Sequence, residues 1–167
     1  MAEISVQIHS LFNLMNSREI RPTEKFTFSV TTINSSEADA VALENVRYHV
    51  RVEDPAVAKL IVPPTNPDEI GTVYKGLDAT SGELVALAPD TEVGEVHLFP
   101  KAITKPVDIG EDSPVIIEGA GALKVGDSDR LILKGIALAT GSTQLTCQVS
   151  GEPDVDIPLA TKPLDII

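Results

Sequence analysis

The chain has 167 residues, of which 43% are hydrophobic and 4% aromatic, with no tryptophan and one cysteine. Lysine and arginine number 13 against 25 aspartate and glutamate residues, which gives a formal net charge of −12. This charge argues against nucleic acid and against insertion at an anionic membrane surface, and one cysteine excludes an intramolecular disulfide. The length suits a single domain over residues 1–167, with a core built from Val, Ile, Leu and Ala.

Apolar and polar residues alternate one for one in several short segments, most clearly in residues 46–52, VRYHVRV. Because successive side chains on a strand point to opposite faces, this pattern predicts strands with one buried and one solvent-exposed face. It favours an antiparallel β-sandwich, since parallel sheets are buried on both faces. In chain order the predicted strands cover residues 3–9, 25–33, 40–52, 58–62, 83–88, 94–99, 114–118, 130–138, 143–149 and 154–159.

At most two short helices interrupt this pattern. Residues 10–20 place apolar side chains at helical spacing and predict a helix, with the alternative that the first strand continues and bends. Asp54-Pro55 resembles an N-cap followed by a first-turn proline, which predicts a second helix over residues 54–60. Residues 63–113 are rich in Pro, Gly and acidic residues, and we interpret them as long loops or a second small sheet.

Local details predict how some strands are placed in the sheets. The apolar residues of 130–138 change phase around Lys134-Gly135, which indicates a β-bulge. Pro158 cannot donate a ladder hydrogen bond, so the strand that contains it is expected at a sheet edge. We take Asp154–Leu159, which contains Pro158, as one candidate edge for contacts with a partner, and Lys25–Thr31 as a second.

Two parts of the chain carry a family resemblance. Residues 25–34 and 40–46 form a polar-apolar strand, an Asn turn and an Ala/Val-rich strand. Residues 125–131 and 141–149 place a Gly-Asp turn before a strand and a Gly turn before the last strands. These stretches resemble the opening and closing hairpins of bacterial Ig-like modules of the cell-adhesion-related (CARDB-like) type. The resemblance implies an Ig-like β-sandwich used for adhesion or assembly, and it carries over no catalytic residue.

Few residues suggest a chemical site, and no G-x-S-x-G, H-E-x-x-H or C-x-x-C motif is present. Asp127 and Asp129 form a D-x-D pair that predicts a calcium site, although Asp also favours turns. His9, His49 and His97 fall on predicted strands, and we interpret them as solvent-facing side chains. Their convergence as metal ligands stays open, because separation in sequence does not decide it.

The sequence therefore predicts a non-catalytic interaction, adhesion or structural assembly module that needs no cofactor and binds a protein partner or itself. One alternative is a small-molecule or carbohydrate-binding jelly-roll protein or enzyme, which predicts a concave pocket of several hundred Å³. Another is a calcium-dependent adhesion domain. Residues 1–16 lack the basic start and apolar stretch of a signal peptide. We expect a cytoplasmic location by default, or a surface or virion position reached by assembly.

Overall fold

A computed structural model describes residues 4–13, 15, 17–34, 43–62, 72–78, 80–104, 115–118, 122–123, 128–152 and 156–167. The chain is all-β, and within these ranges no helix is long and apolar enough to cross a membrane. The strands are β1 Ile4–Asn13, β2 Lys25–Asn34, β3 Leu43–Val52, β4 Ala58–Ile61, β5 Thr72–Leu77, β6 Leu84–Ala86, β7 Glu92–Val93, β8 Glu95–Thr104, β9 Val115–Glu118, β10 Ala122–Leu123, β11 Ser128–Ala137, β12 Gly141–Glu152 and β13 Ala160–Ile166.

The strands form two antiparallel sheets that face each other, so the predicted β-sandwich is confirmed. The first sheet has the order β1-β2-β11-β4-β7. The second follows the path β13-β12-β3-β8-β5-β6, with β10 paired to β3 and β9 paired to β8. Neighbours in these sheets are often far apart in sequence, which is why the strand order could not be predicted from local patterns.

The core lies between the inner faces of the two sheets. Strand β3 shows how the sequence builds it, because Val46, Tyr48, Val50 and Val52 are at most 3% exposed while the residues between them face outward. The aromatic part of the core is small. Phe26 and Phe28 lie on β2 with ring centroids 6.2 Å apart, and aliphatic side chains from both sheets fill the remaining space. Burial of this apolar surface is the main favourable term in folding.

The predicted helix over residues 10–20 is wrong, and the alternative that the first strand continues and bends is the one observed. Strand β1 runs on to Asn13, and its register against β2 shifts between His9 and Phe12. Ser10 has a φ of 57° at this irregularity. An extra residue in one strand bends it locally. The described part of residues 10–20 is therefore the bulged end of β1, a turn at Met15 and irregular chain from Ser17.

The predicted helix over residues 54–60 is also wrong. The Asp54 carboxylate accepts a hydrogen bond from the amide of Ala56 at 3.0 Å, and its carbonyl accepts one from Val57 at 3.1 Å. These bonds close one turn, and β4 begins directly afterwards at Ala58. The Asp-Pro pair thus starts a turn between two strands, because Asp side chains satisfy turn amides as readily as helix caps.

Both candidate edges differ from the prediction. Lys25–Thr31 belongs to β2, which lies between β1 and β11 and has no free edge over these residues. Residues 156–159 are not in a strand, and Asp154 lies outside the described residues. The last strand is β13, which does lie at the sheet edge and contains Pro163 opposite Gln144. An edge strand tolerates a proline on its outer side. The pairing described on that side of β13 is the isolated bridge between Ile20 and Ile166, away from Pro163.

The predicted bulge at Lys134-Gly135 is not observed. Strand β11 pairs with β2 in unbroken register from Ser128 to Ile136. Gly135 lies on the buried face, and a Cβ atom there would be 2.3 Å from Cζ of Phe26 and 2.9 Å from the carbonyl oxygen of Lys59. The glycine is needed for this close approach and does not mark a change of register.

We predict that Gly135→Ala destabilises the protein by about 2 kcal/mol, because overpacking a filled core typically costs roughly 1–3 kcal/mol. Urea unfolding followed by far-UV circular dichroism measures the change. Lys134→Ala is the matched control, since the neighbouring side chain is exposed and such changes stay within about 0.5 kcal/mol. Equal unfolding midpoints for both variants would contradict the prediction, because they would show that the Phe26 ring moves away from the added methyl group at little cost in stability.

Candidate functional site

The outer face of the second sheet brings together two histidines and a glutamate. His49 on β3 lies directly opposite His97 on β8, and Glu95 precedes His97 by two residues. Residues two apart on a strand share a face, and directly opposite residues have neighbouring side chains. The antiparallel register therefore places His49, Glu95 and His97, called here the His-Glu-His cluster, side by side above the core.

The three side chains are in direct contact. His49 Nε2–H donates a hydrogen bond to Glu95 Oε2 at 2.9 Å, and these side chains are 35% and 40% exposed. The His49 and His97 rings are stacked with centroids 4.1 Å apart and planes 6° from parallel. One possible ligand atom from each of the three residues lies within 4.8 Å of the other two.

The electrostatics of the cluster favour a neutral His97. Partial burial and the neighbouring His49 lower the pKa of His97, and Glu95 acts in the opposite direction. Two stacked imidazolium rings would repel each other, which favours one neutral ring at neutral pH. A neutral imidazole has a free nitrogen lone pair, so His97 can accept a proton or bind a metal ion.

A cleft of about 470 Å³ opens beside the cluster. The ladder between β5 and β8 ends at the pair Lys75 and His97, after which β5 continues along β6 only. The space left next to the start of β8 becomes the cleft. Its apolar walls come from Pro55, Leu77, Leu87 and Val93, and its charged side chains are Arg51, Glu53 and Glu95.

One glycine sets the packing beside the cleft, and one glutamate joins the cleft to the His-Glu-His cluster. Gly76 is buried and lines the cleft, and a Cβ atom at this position would lie 2.9 Å from Cδ2 of Leu87. Leu87 can therefore pack directly against the β5 backbone. Glu95 lies opposite Arg51 in the register and belongs both to the cleft and to the His-Glu-His cluster. The cluster thus forms part of the rim of the cleft.

The other residues considered in the sequence analysis do not join the His-Glu-His cluster. His9 lies on β1 in the other sheet, where Nε2 is hydrogen-bonded to the Thr31 hydroxyl, so it does not join the other histidines. The single cysteine, Cys147, is 0% exposed, and burial raises the pKa of its thiol to about 12. Asp127 lies outside the described residues and Asp129 lies in β11, so the calcium site stays a prediction.

Sequence reasoning missed Glu95 as a member of this site. The signal was present, because Glu95 and His97 flank an apolar residue in an E-x-H pattern on a predicted strand. The partner strand was the missing information, since only the β3–β8 register brings His49 to this pair. A carboxylate that holds an imidazole can orient it for proton transfer or share a metal ion with it.

Comparison with known proteins gives structural likenesses only. No protein-family model and no curated protein matches the chain. One solved structure that it resembles is described as AvmM, which catalyses macrocyclization in alchivemycin A biosynthesis. The two share 11% sequence identity with a TM-score of 0.41, over 99% of this chain and 87% of that chain.

The comparisons give no support to the functional prediction. The expected non-catalytic interaction, adhesion or assembly module is not borne out, since the similar structure is that of a protein described as catalysing macrocyclization. The expectation that the chain is not an enzyme gains no support from it either. At this identity and TM-score the likeness assigns no reaction or substrate to the present chain. The resemblance to CARDB-like modules stays a prediction.

We predict that Glu95→Gln changes the free energy of unfolding by less than about 1 kcal/mol, because half-exposed ion pairs contribute little to stability. Urea unfolding at neutral pH measures this difference. A loss above roughly 3 kcal/mol would contradict the prediction, since it is the size expected when one partner of a fully buried pair is removed.

Proposed function

We propose that this protein binds a small organic molecule in the cleft between the ends of β3 and β5 and the start of β8. The main observation that supports this proposal is the cleft itself. Its volume of about 470 Å³ lies within the roughly 300–1,000 Å³ range typical of small-molecule sites. Apolar walls with a few convergent polar groups are also typical of such sites.

The lining of the cleft indicates the kind of ligand. Leu87 and Val93 are half-buried and Leu77 is 58% exposed, so together they offer an apolar wall that a bound molecule would cover. Arg51 supplies hydrogen-bond donors, and Glu95 supplies acceptors. An amphipathic molecule fits this arrangement, with an apolar body and a polar end that carries both donor and acceptor groups.

The location of the cleft also supports binding. It lies at the end of a sheet, where the backbone of β3 and β8 is fixed by pairing on both sides of the His-Glu-His cluster. A site on paired strands holds its polar groups in place more precisely than a site on loops. The proposal therefore concerns a pre-formed binding site.

We predict that amphipathic fragments perturb the backbone amide resonances of Gly76 and Gly94 in a ¹H–¹⁵N NMR screen. Leu77→Lys should weaken the best fragments by at least roughly tenfold, because it replaces apolar contact area with a charge. The position is 58% exposed, so the change is compatible with folding. The affinity is measured by following the same amide shifts through a titration.

Ile132→Lys is the matched control, because Ile132 is 62% exposed, lies on the other sheet and receives the same added charge. It should bind the fragments as the wild type does. Fragments whose shifts map elsewhere, or fragments that bind Leu77→Lys with unchanged affinity, would overturn the proposal.

A further inference from the structure

We infer that His49, Glu95 and His97 bind one divalent transition-metal ion at the rim of the cleft. The inference uses the side chains on the outer face of β3 and β8 and does not depend on the proposed small-molecule function. Two imidazole nitrogens and one carboxylate oxygen form a common donor set for zinc and for other divalent first-row metal ions.

The distances between the three donor atoms fit an ion between them. A tetrahedral ion with zinc-like bond lengths separates its ligand atoms by roughly 3.3 Å. His49 Nε2 and Glu95 Oε2 are 2.9 Å apart, and one ligand atom from each of the three residues lies within 4.8 Å of the other two. The lone pairs of an imidazole lie in its ring plane, and the two rings are stacked within 6° of parallel. Binding one ion therefore requires at least one ring to rotate about its side-chain bonds until the lone pairs converge.

The backbone positions of the ligands are already fixed. His49 pairs with Gln148 on one side and His97 on the other, and His97 also pairs with Lys75. Both histidines therefore lie on interior strands of the sheet. Such a site needs only local side-chain movement on binding, because the fold has already brought the ligands together.

The charge around the cluster also favours a cation. His49 would hold the ion through Nε2 in the tautomer that carries its proton on Nδ1. The negative charge of Glu95 offsets part of the charge of the ion, and the net charge of −12 favours cations over the whole protein.

Three protein ligands leave at least one coordination position for water or a second molecule. Glu95 lines the cleft as well as the cluster, so that open position lies next to the cleft. Arg51 is directly opposite Glu95 and can hydrogen-bond an oxygen of a molecule bound there. The ion would then give the cleft a Lewis-acidic group at its polar end.

The test is a titration of the full chain with Zn²⁺, followed by competition with a chromophoric chelator. We expect one Zn²⁺ per chain at this site, and we expect Co²⁺ to bind there with a visible absorption spectrum typical of low-coordinate cobalt. His97→Asn and Glu95→Gln should each weaken Zn²⁺ binding by at least roughly tenfold. Ca²⁺ should not compete, since it prefers oxygen ligands.

His9→Asn is the matched control, because it removes a half-buried strand histidine from the other sheet and should leave Zn²⁺ affinity unchanged. Circular dichroism of each variant confirms that it is folded. A second readout needs no variant, since Zn²⁺ should shift the imidazole ¹⁵N resonances of His49 and His97 and leave those of His9 in place. Unchanged affinity in His97→Asn, or no saturable Zn²⁺ binding, would overturn the inference.

Discussion

The two-residue period of β3 is the constraint on which the rest of the structure depends. Its even-numbered residues Tyr48 and Val50 are buried against the opposite sheet, and this fixes His49 and Arg51 on the outer face. A slip of one residue in the register would bury charged side chains and expose the core. The burial energy of the core therefore also determines which polar groups meet on the surface.

The candidate site follows from how β8 meets its two neighbours. Pairing of β8 with β3 brings His97 against His49, and pairing with β5 ends at the same residue, His97. One register thus produces both the His-Glu-His cluster and the opening beside it. Because Glu95 belongs to both, a metal ion and a small molecule bound here would be neighbours. The two proposals nevertheless rest on separate observations, a cleft volume and a set of donor atoms.

Much of the fold could be predicted from the sequence, because alternation is a local signal. It identified the inner and outer faces of β3, including the outward position of His49. It failed where a local pattern had two physical origins, as at residues 10–13, where the bulged end of β1 carries part of an apolar spacing that resembles a helix. At Gly135 a close approach to the Phe26 ring resembled a bulge. Strand β5, which forms one wall of the cleft, gave no clear alternating signal and was not predicted.

The site itself could be predicted only in part. Each histidine was placed on a strand, but whether two of them converge depends on pairing between segments nearly 50 residues apart, which carries no local signature.

The most direct test of this account is a crystal structure grown with Zn²⁺, with an anomalous difference map collected at the zinc edge. We expect one strong peak within about 2.2 Å of an imidazole nitrogen of His49, an imidazole nitrogen of His97 and a carboxylate oxygen of Glu95. A peak located elsewhere, or rings that point away from each other with no peak between them, would contradict it.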